Sequence, residues 1–204
     1  MPQFTPIGPD ALVELCARRI DGIAGVVVVA IDAAYAAHPA ALARQITDRL
    51  QALGRAAATV EMTHFVRPAS LRFEYGHTDE QSYRDSWFDH AALDREVIAP
   101  VRAGSPWLPR LWNPVTDRSF RDDRQPSAHD QVIVVAGPML LGRHTFDLTA
   151  RLSQNEATLR RHTPAADHWT IPVLLSDAHE TRADIEVRYD HPDRPAIRVS
   201  SPDA

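Results

Sequence analysis

Lysine is absent from this 204-residue chain, and all 22 of its basic residues are arginine. No lysine is therefore available to bind a phosphate group or to form a Schiff base. The chain has 27 acidic residues, so its formal net charge is −5. A negative net charge gives no electrostatic support for binding to nucleic acid or to an anionic membrane. We expect neither kind of partner.

Cysteine is almost absent as well, because Cys16 is the single one. This excludes an internal disulfide and a zinc site built from several thiolates, and it indicates a reducing compartment. The ten histidines form no metal-binding motif, so we expect no metal site. The first residues do not resemble a signal peptide, and the apolar run at 26–31 is far too short to span a membrane. The sequence predicts a soluble cytoplasmic protein.

Apolar segments alternate with segments of helical periodicity along the chain. Strands are predicted at 26–31, 57–61, 131–135, 146–152 and 183–189, with an edge strand at 196–199. Helices are predicted at 10–20, 39–53, 91–97, 155–161 and 169–178. Residues 103–127, rich in proline and containing two tryptophans, predict an irregular excursion or a β-hairpin. The alternation indicates an α/β fold, with a parallel sheet flanked by helices in a single domain.

Residues 25–42 have the strand-turn-helix frame of a phosphate-binding P-loop, GxxxxGK[ST]. Ala33 and His38 stand at its glycine positions, with Tyr35 between them. Pro39 stands at the lysine position, and Ala40 replaces the hydroxyl that would hold Mg²⁺. The segment is either an ordinary buried strand with its helix or a P-loop frame without its phosphate-binding residues. In both cases we expect no bound cofactor, ATP and Mg²⁺ included.

Several short motifs follow that frame in a fixed order. They are THFVRP at 63–68, RFEYG at 72–76, SYRDSWFD at 82–89, NPVTD at 113–117, VVAG at 134–137 and RADIEVRYD at 182–190. The ordered set spans residues 22–199 and resembles the uridine-kinase-like branch of the P-loop nucleoside and nucleotide kinases. The resemblance implies a P-loop-kinase-like fold, formed by one domain over residues 1–204 that lacks the P-loop motif.

The resemblance also implies roles for individual residues. Thr63 stands where the family has an aspartate that serves the acceptor hydroxyl, and Ala136 stands where it has an acid that organises Mg²⁺. Together with Thr63, residues of the family's type make up the candidate ligand-binding set: Arg67, Arg72, Tyr75, Tyr83, Asp85 and Asp89. Each also has a structural interpretation, as part of a surface ion pair or of the core. His64 is the candidate catalytic residue, because histidine titrates near neutral pH.

Three hypotheses about function remain open. The missing lysine, hydroxyl and acids favour a pseudoenzyme that binds a small nucleoside-like or phosphorylated ligand, or a protein partner, without ATP-dependent phosphoryl transfer. The alternative is an active nucleoside or small-molecule kinase, or another transferase, in which His64 acts as the base while Arg67 and Arg72 hold an anionic substrate. The third is a purely structural subunit, for example of a homo-oligomer.

Overall fold

A seven-stranded sheet forms the centre of the protein. The structure is a computed structural model that describes residues 3–178 and 181–200. The strands are β1 (Thr5–Pro6), β2 (Val27–Asp32), β3 (Ala57–Glu61), β6 (Val132–Gly137), β7 (Leu148–Ser153), β8 (Ile185–Arg188) and β9 (Ala196–Val199), and a separate hairpin contains β4 (Trp112–Asn113) and β5 (Arg118–Ser119). The sheet order is β1-β9-β8-β7-β2-β6-β3, and the five strands from β8 to β3 are parallel. The predicted mostly parallel α/β sheet is confirmed.

Helices cover both faces of this sheet. They are α1 (Pro9–Asp21), α2 (Pro39–Ala52), α3 (Ala69–Arg72), α4 (Glu80–Asp85), α5 (His90–Leu93), α6 (Ala99–Arg102), α7 (Glu156–His162) and α8 (Ile171–Asp177). None of the helices within residues 3–178 and 181–200 combines the length and the hydropathy that a membrane span requires.

The valine-rich strand β2 is buried on both sides, which explains its continuous apolar sequence. Val27, Val29 and Ile31 pack in one core cluster with residues of α1 and α2. Val28 and Ala30 point to the opposite face, where they belong to a second cluster that includes aromatic side chains. Because successive side chains of a strand alternate between faces, one apolar run supplies two cores.

The predicted helix at 91–97 is part of a longer helical segment. A π-helical turn, Asp94–Ile98, joins α5 to α6. Pro100 has no backbone N–H, so it cannot donate to the carbonyl group of Glu96. That carbonyl instead accepts a hydrogen bond of 2.9 Å from the backbone amide of Leu108. The proline accounts for the local departure from α-helical bonding.

The prediction that residues 196–199 form an edge strand is wrong. β9 lies between β8 and β1, and it pairs antiparallel with both. The edge is formed by β1, where Thr5 pairs with Ile197. A two-residue strand that contains a proline carries almost no periodic signal, so the sequence does not reveal it.

Candidate functional site

The turn that follows β2 lies at the carboxyl edge of the parallel strands, where open α/β sheets bind ligands. It contains a short 3₁₀ helix, Tyr35–Ala37. Three of its six amides (33–38) bond within the fold: Ala37 and His38 donate to the carbonyls of Ala34 and Tyr35 at 3.0 and 2.9 Å. The amide of Ala33 donates to Gly137 at 3.0 Å. These three amides are therefore not directed at an open anion site.

The junction between this turn and α2 is also poor in donors. His38 has a left-handed conformation with φ of 52°, which is uncommon for a residue with a side chain. Pro39 begins α2 and has no N–H, and the amide of Ala41 donates to the carbonyl of His38 at 2.9 Å. Among residues 39–41, only the amide of Ala40 remains as a donor that could face an anion.

A buried ion pair connects the end of β2 to β7. Asp32 Oδ2 accepts from Arg151 Nε at 2.8 Å, and Asp32 Oδ1 accepts from the backbone amide of Leu140 at 3.0 Å. Arg151 also donates from Nη1 to the carbonyls of Ala178 and Thr181. Both charged side chains are at most 7% exposed. A carboxylate is thus fixed immediately before the turn.

An aromatic cavity of about 350 Å³ opens beside the turn. The turn forms one wall, α4 and the residues after it form a second, and the segment between α7 and α8 forms a third. The lining residues with aromatic or ionisable side chains are Tyr35, His38, Tyr83, Trp87, His162, Asp167 and Trp169. Volume and lining are typical of a small-molecule site.

Three rings of this aromatic cavity contact one another in tilted pairs. The ring centroids of Tyr83 lie 5.4 Å from those of both Trp87 and Trp169, and the two tryptophans are 5.6 Å apart. Burial, followed by the nearby carboxylates of Asp167 and Asp177, raises the pKa of Tyr83. Tyr83 is therefore a neutral phenol in this wall at physiological pH.

Tyr35 separates the aromatic cavity from a second one. This Thr63 cavity, of about 320 Å³, lies at the ends of β3 and β6 and includes Thr63, Glu61 and Arg44 among its lining residues. Tyr35 is 42% exposed as a whole residue, but its hydroxyl lies beside Thr63, and burial of the hydroxyl raises the tyrosine pKa. Glu61 accepts from Arg44 at 2.7 Å. Pro39, Ala40 and Ala136 also line the Thr63 cavity.

A third cavity, the sheet-end cavity, lies on the other side of the turn. It has a volume of about 380 Å³ and is lined by Ala33, Asp32 and Arg151, together with Arg188 and Asp190 near the end of β8. Its charged side chains are of both signs, and the central pair is already bonded internally. The described residues contain no group of three or more His, Cys, Asp or Glu side chains placed to bind one metal ion.

Of the predicted ligand-binding residues, Thr63 and Tyr83 line these cavities. Arg72 does not, because it is buried in a structural network. Its Nε donates to the carbonyl of Arg67 at 2.8 Å, and its Nη2 lies 3.7 Å from Asp117. Burial is the main reason that the pKa of Arg72 is lowered. Its guanidinium carbon also lies 5.2 Å from the ring centroid of Trp87.

The other predicted ligand-binding residues also lie outside the three cavities. Asp89 caps α5 by accepting from the amide of Ala92 at 2.9 Å, and Asp85 is exposed and bonds to Gln81. Tyr75 is 73% exposed. The Arg67 amide donates to the carbonyl of Trp87 at 2.9 Å.

His64 packs against the hairpin segment. Its ring meets that of Phe120 edge to face, with 5.1 Å between centroids, and burial lowers its pKa. It is not among the lining residues of the three cavities. A catalytic role for His64 remains a prediction.

Sequence reasoning missed the most distinctive residues of this region. Trp87 lies within the SYRDSWFD motif at 82–89. Asp167 and Trp169 belong to a segment about 80 positions later that contains none of the motifs. Asp32 and Arg151 lie 119 residues apart in sequence. The only available signal was the parallel sheet itself, which brings the ends of β2 and β7 together.

Known proteins resemble this chain in structure at low sequence identity. No protein-family model and no curated protein matches it. The fold is similar to that of a "possible uridine kinase" from Bacillus stearothermophilus, with a TM-score of 0.67 and 17% identity over 85% of this chain and 96% of that one. It is also similar to a "putative fructose transport system kinase" from Silicibacter sp. TM1040, with a TM-score of 0.60 and 17% identity over 88% and 98%. The P-loop-kinase-like fold is confirmed.

Proposed function

We propose that this protein is a uridine-kinase-like domain that binds a small nucleoside-like ligand in the aromatic cavity and does not transfer phosphate from ATP. The observation that carries the proposal is the contrast between two adjacent features. The turn after β2 bonds three of its six amides (33–38) within the fold and leads into proline and alanine at the lysine and hydroxyl positions, whereas a cavity walled by four aromatic side chains opens directly beside it.

The residues at the turn do not fit Mg·ATP. A phosphate cradle requires several backbone amides that converge on the anion, together with a cation and a hydroxyl for the metal. Here Pro39 and Ala40 stand at the lysine and hydroxyl positions, and lysine is absent from the whole chain.

The aromatic cavity has the properties that a flat ring requires. Its volume of about 350 Å³ is within the range of small-molecule sites. Tyr83, Trp87 and Trp169 offer rigid apolar surface for stacking, which contributes roughly 1–3 kcal/mol per base in nucleic-acid complexes. His38 and Asp167 supply polar groups that can orient a bound molecule.

The choice of a nucleoside as probe rests on two similarities. The order of the motifs at 63–190 resembles uridine-kinase-like proteins, and one neighbour in fold is described as a possible uridine kinase. Both are similarities to other proteins, so we treat uridine as a representative ring compound and not as the identified ligand.

Calorimetric titration with uridine tests the proposal. We expect saturable binding by the unmodified protein and a loss of at least about tenfold in affinity for Trp169→Leu, because stacking surface is removed. Tyr75→Ala serves as the matched control, since Tyr75 is exposed and lies outside the cavity.

Unchanged affinity in Trp169→Leu would show that the aromatic cavity is not the site. No binding of any ring compound, together with a stability that rises with protein concentration, would favour a structural or oligomeric role instead.

A further inference from the structure

We propose that the ligand of the aromatic cavity carries a positive charge on its ring and has no phosphate group. This inference concerns the same cavity and rests on the proposed function. The cavity's charge, the orientation of its rings and the state of Asp167 all favour a cation over an anion.

The charge of the lining is the first observation. Asp167 is the only aspartate or glutamate among the described lining residues, which include His38 and His162 but contain no arginine. Arg72, which stacks on Trp87, does not line the cavity, and its charge is balanced by Asp117 at 3.7 Å. A phosphate group would therefore enter the cavity beside a carboxylate and without an arginine to balance its charge, which is unfavourable.

The ring arrangement is the second observation. Tyr83, Trp87 and Trp169 are mutually tilted by 59° to 73°, so their faces and edges form an angular wall. Tyr35 stands at the opposite side with its hydroxyl turned toward Thr63. The faces of aromatic rings attract cations within about 6 Å, and tryptophan does so most strongly. Trp87 already accepts the Arg72 guanidinium in this way.

The position of Asp167 is the third observation. Its backbone amide donates to the carbonyl of Pro164 at 2.8 Å, and its carbonyl accepts from the Thr170 hydroxyl at 2.7 Å. Within residues 3–178 and 181–200, its carboxylate forms no ion pair. The hydrogen bonds with Pro164 and Thr170 fix the backbone of Asp167, and its solvent-exposed carboxylate lies at the wall of the aromatic cavity. A ligand cation would provide its partner.

A pair of isomers separates charge from shape. 1-Methyladenosine is protonated and therefore cationic at pH 7, whereas N6-methyladenosine, which carries the methyl group on a different nitrogen, is neutral. In calorimetric titrations we expect the cationic isomer to bind at least about tenfold more tightly, because both the rings and Asp167 favour it. AMP, which adds a phosphate group, should bind more weakly than adenosine.

Two variants locate the effect. Asp167→Asn should weaken binding of 1-methyladenosine by about threefold to tenfold more than it weakens binding of N6-methyladenosine. Asp123→Asn removes the same charge from an exposed residue outside the cavity and should change neither affinity.

Equal affinity for the two isomers, or tighter binding of AMP than of adenosine, would overturn the inference about charge. If uridine or N6-methyladenosine still bound in that case, the proposed function would stand. Absence of binding by uridine and by both isomers would overturn the proposed function and this inference together.

Discussion

At the scale of single residues, His90 and His144 show how burial controls charge in this protein. His90 Nδ1 lies 2.9 Å from His144 Nε2, and His144 Nδ1 lies 3.2 Å from the Asp94 carboxylate. Burial, followed by the charges of His144, Arg143 and Arg67, lowers the pKa of His90 to about 3. Burial also lowers the pKa of His144. Both rings are neutral in the folded protein at neutral pH.

This pair predicts that acid destabilises the fold. Between the ordinary histidine pKa of about 6.5 and a value near 3, the unfolded chain binds a proton at His90 that the folded chain does not. The contribution of His90 to the free energy of unfolding should therefore be constant above pH 6.5 and should fall as the pH decreases below that value. The slope should approach about 1.4 kcal/mol per pH unit for one histidine.

Urea unfolding between pH 7.5 and 4.5 measures this slope. His90→Asn retains a donor near the position of Nδ1 and does not titrate, so we expect a shallower dependence on pH. His129→Asn, at a side chain that is 94% exposed, is the control and should retain the original slope. An unchanged slope in His90→Asn would contradict the assignment.

At the scale of secondary-structure elements, the Asp32–Arg151 ion pair joins the carboxyl ends of the paired strands β2 and β7. Asp32→Asn should destabilise the protein by about 3 kcal/mol or more, because it leaves the Arg151 charge buried without its partner. Replacing both residues by apolar ones, as in Asp32→Leu with Arg151→Met, should recover most of this loss. Urea unfolding measures each free energy.

The exposed pair Arg110–Asp122 provides the matched comparison for the buried one. Its oxygen and nitrogen atoms lie 2.7 Å apart, yet the arginine side chain is 46% exposed. Asp122→Asn should therefore change the free energy of unfolding by less than about 1 kcal/mol. A similar loss in Asp122→Asn and Asp32→Asn would mean that burial does not determine the strength of these pairs.

The elements themselves were predictable where their pattern is local. The valine run of β2 and the apolar periodicity of α2 depend only on neighbouring residues, so their bounds agree with the sequence within about two positions. β1 depends instead on pairing with β9, whose residues lie about 190 positions later in the sequence. The π-helical turn depends on Pro100 and on a distant donor, Leu108. Such partners cannot be read from a local pattern.

At the scale of the whole molecule, the order of the motifs predicted the fold but only part of the site. Thr63 and Tyr83 line cavities. Arg72 instead forms an ion pair with Asp117, and Asp89 caps helix α5. A residue type that suits a ligand also suits a buried network, and only the three-dimensional arrangement distinguishes them. Trp169 is far from Tyr83 in the sequence, and only the folded chain shows that both line the aromatic cavity.

Calorimetric titration with Mg·ATP, followed by an assay for phosphate transfer to uridine and to a panel of nucleosides and sugars, tests the central proposal most directly. We predict no saturable heat with Mg·ATP and no phosphorylated product, because the chain has no lysine and because Pro39 and Ala40 stand at the lysine and hydroxyl positions. Uridine should still bind to the same sample. Tight binding of Mg·ATP together with ATP-dependent phosphorylation of any of these acceptors would contradict the proposal.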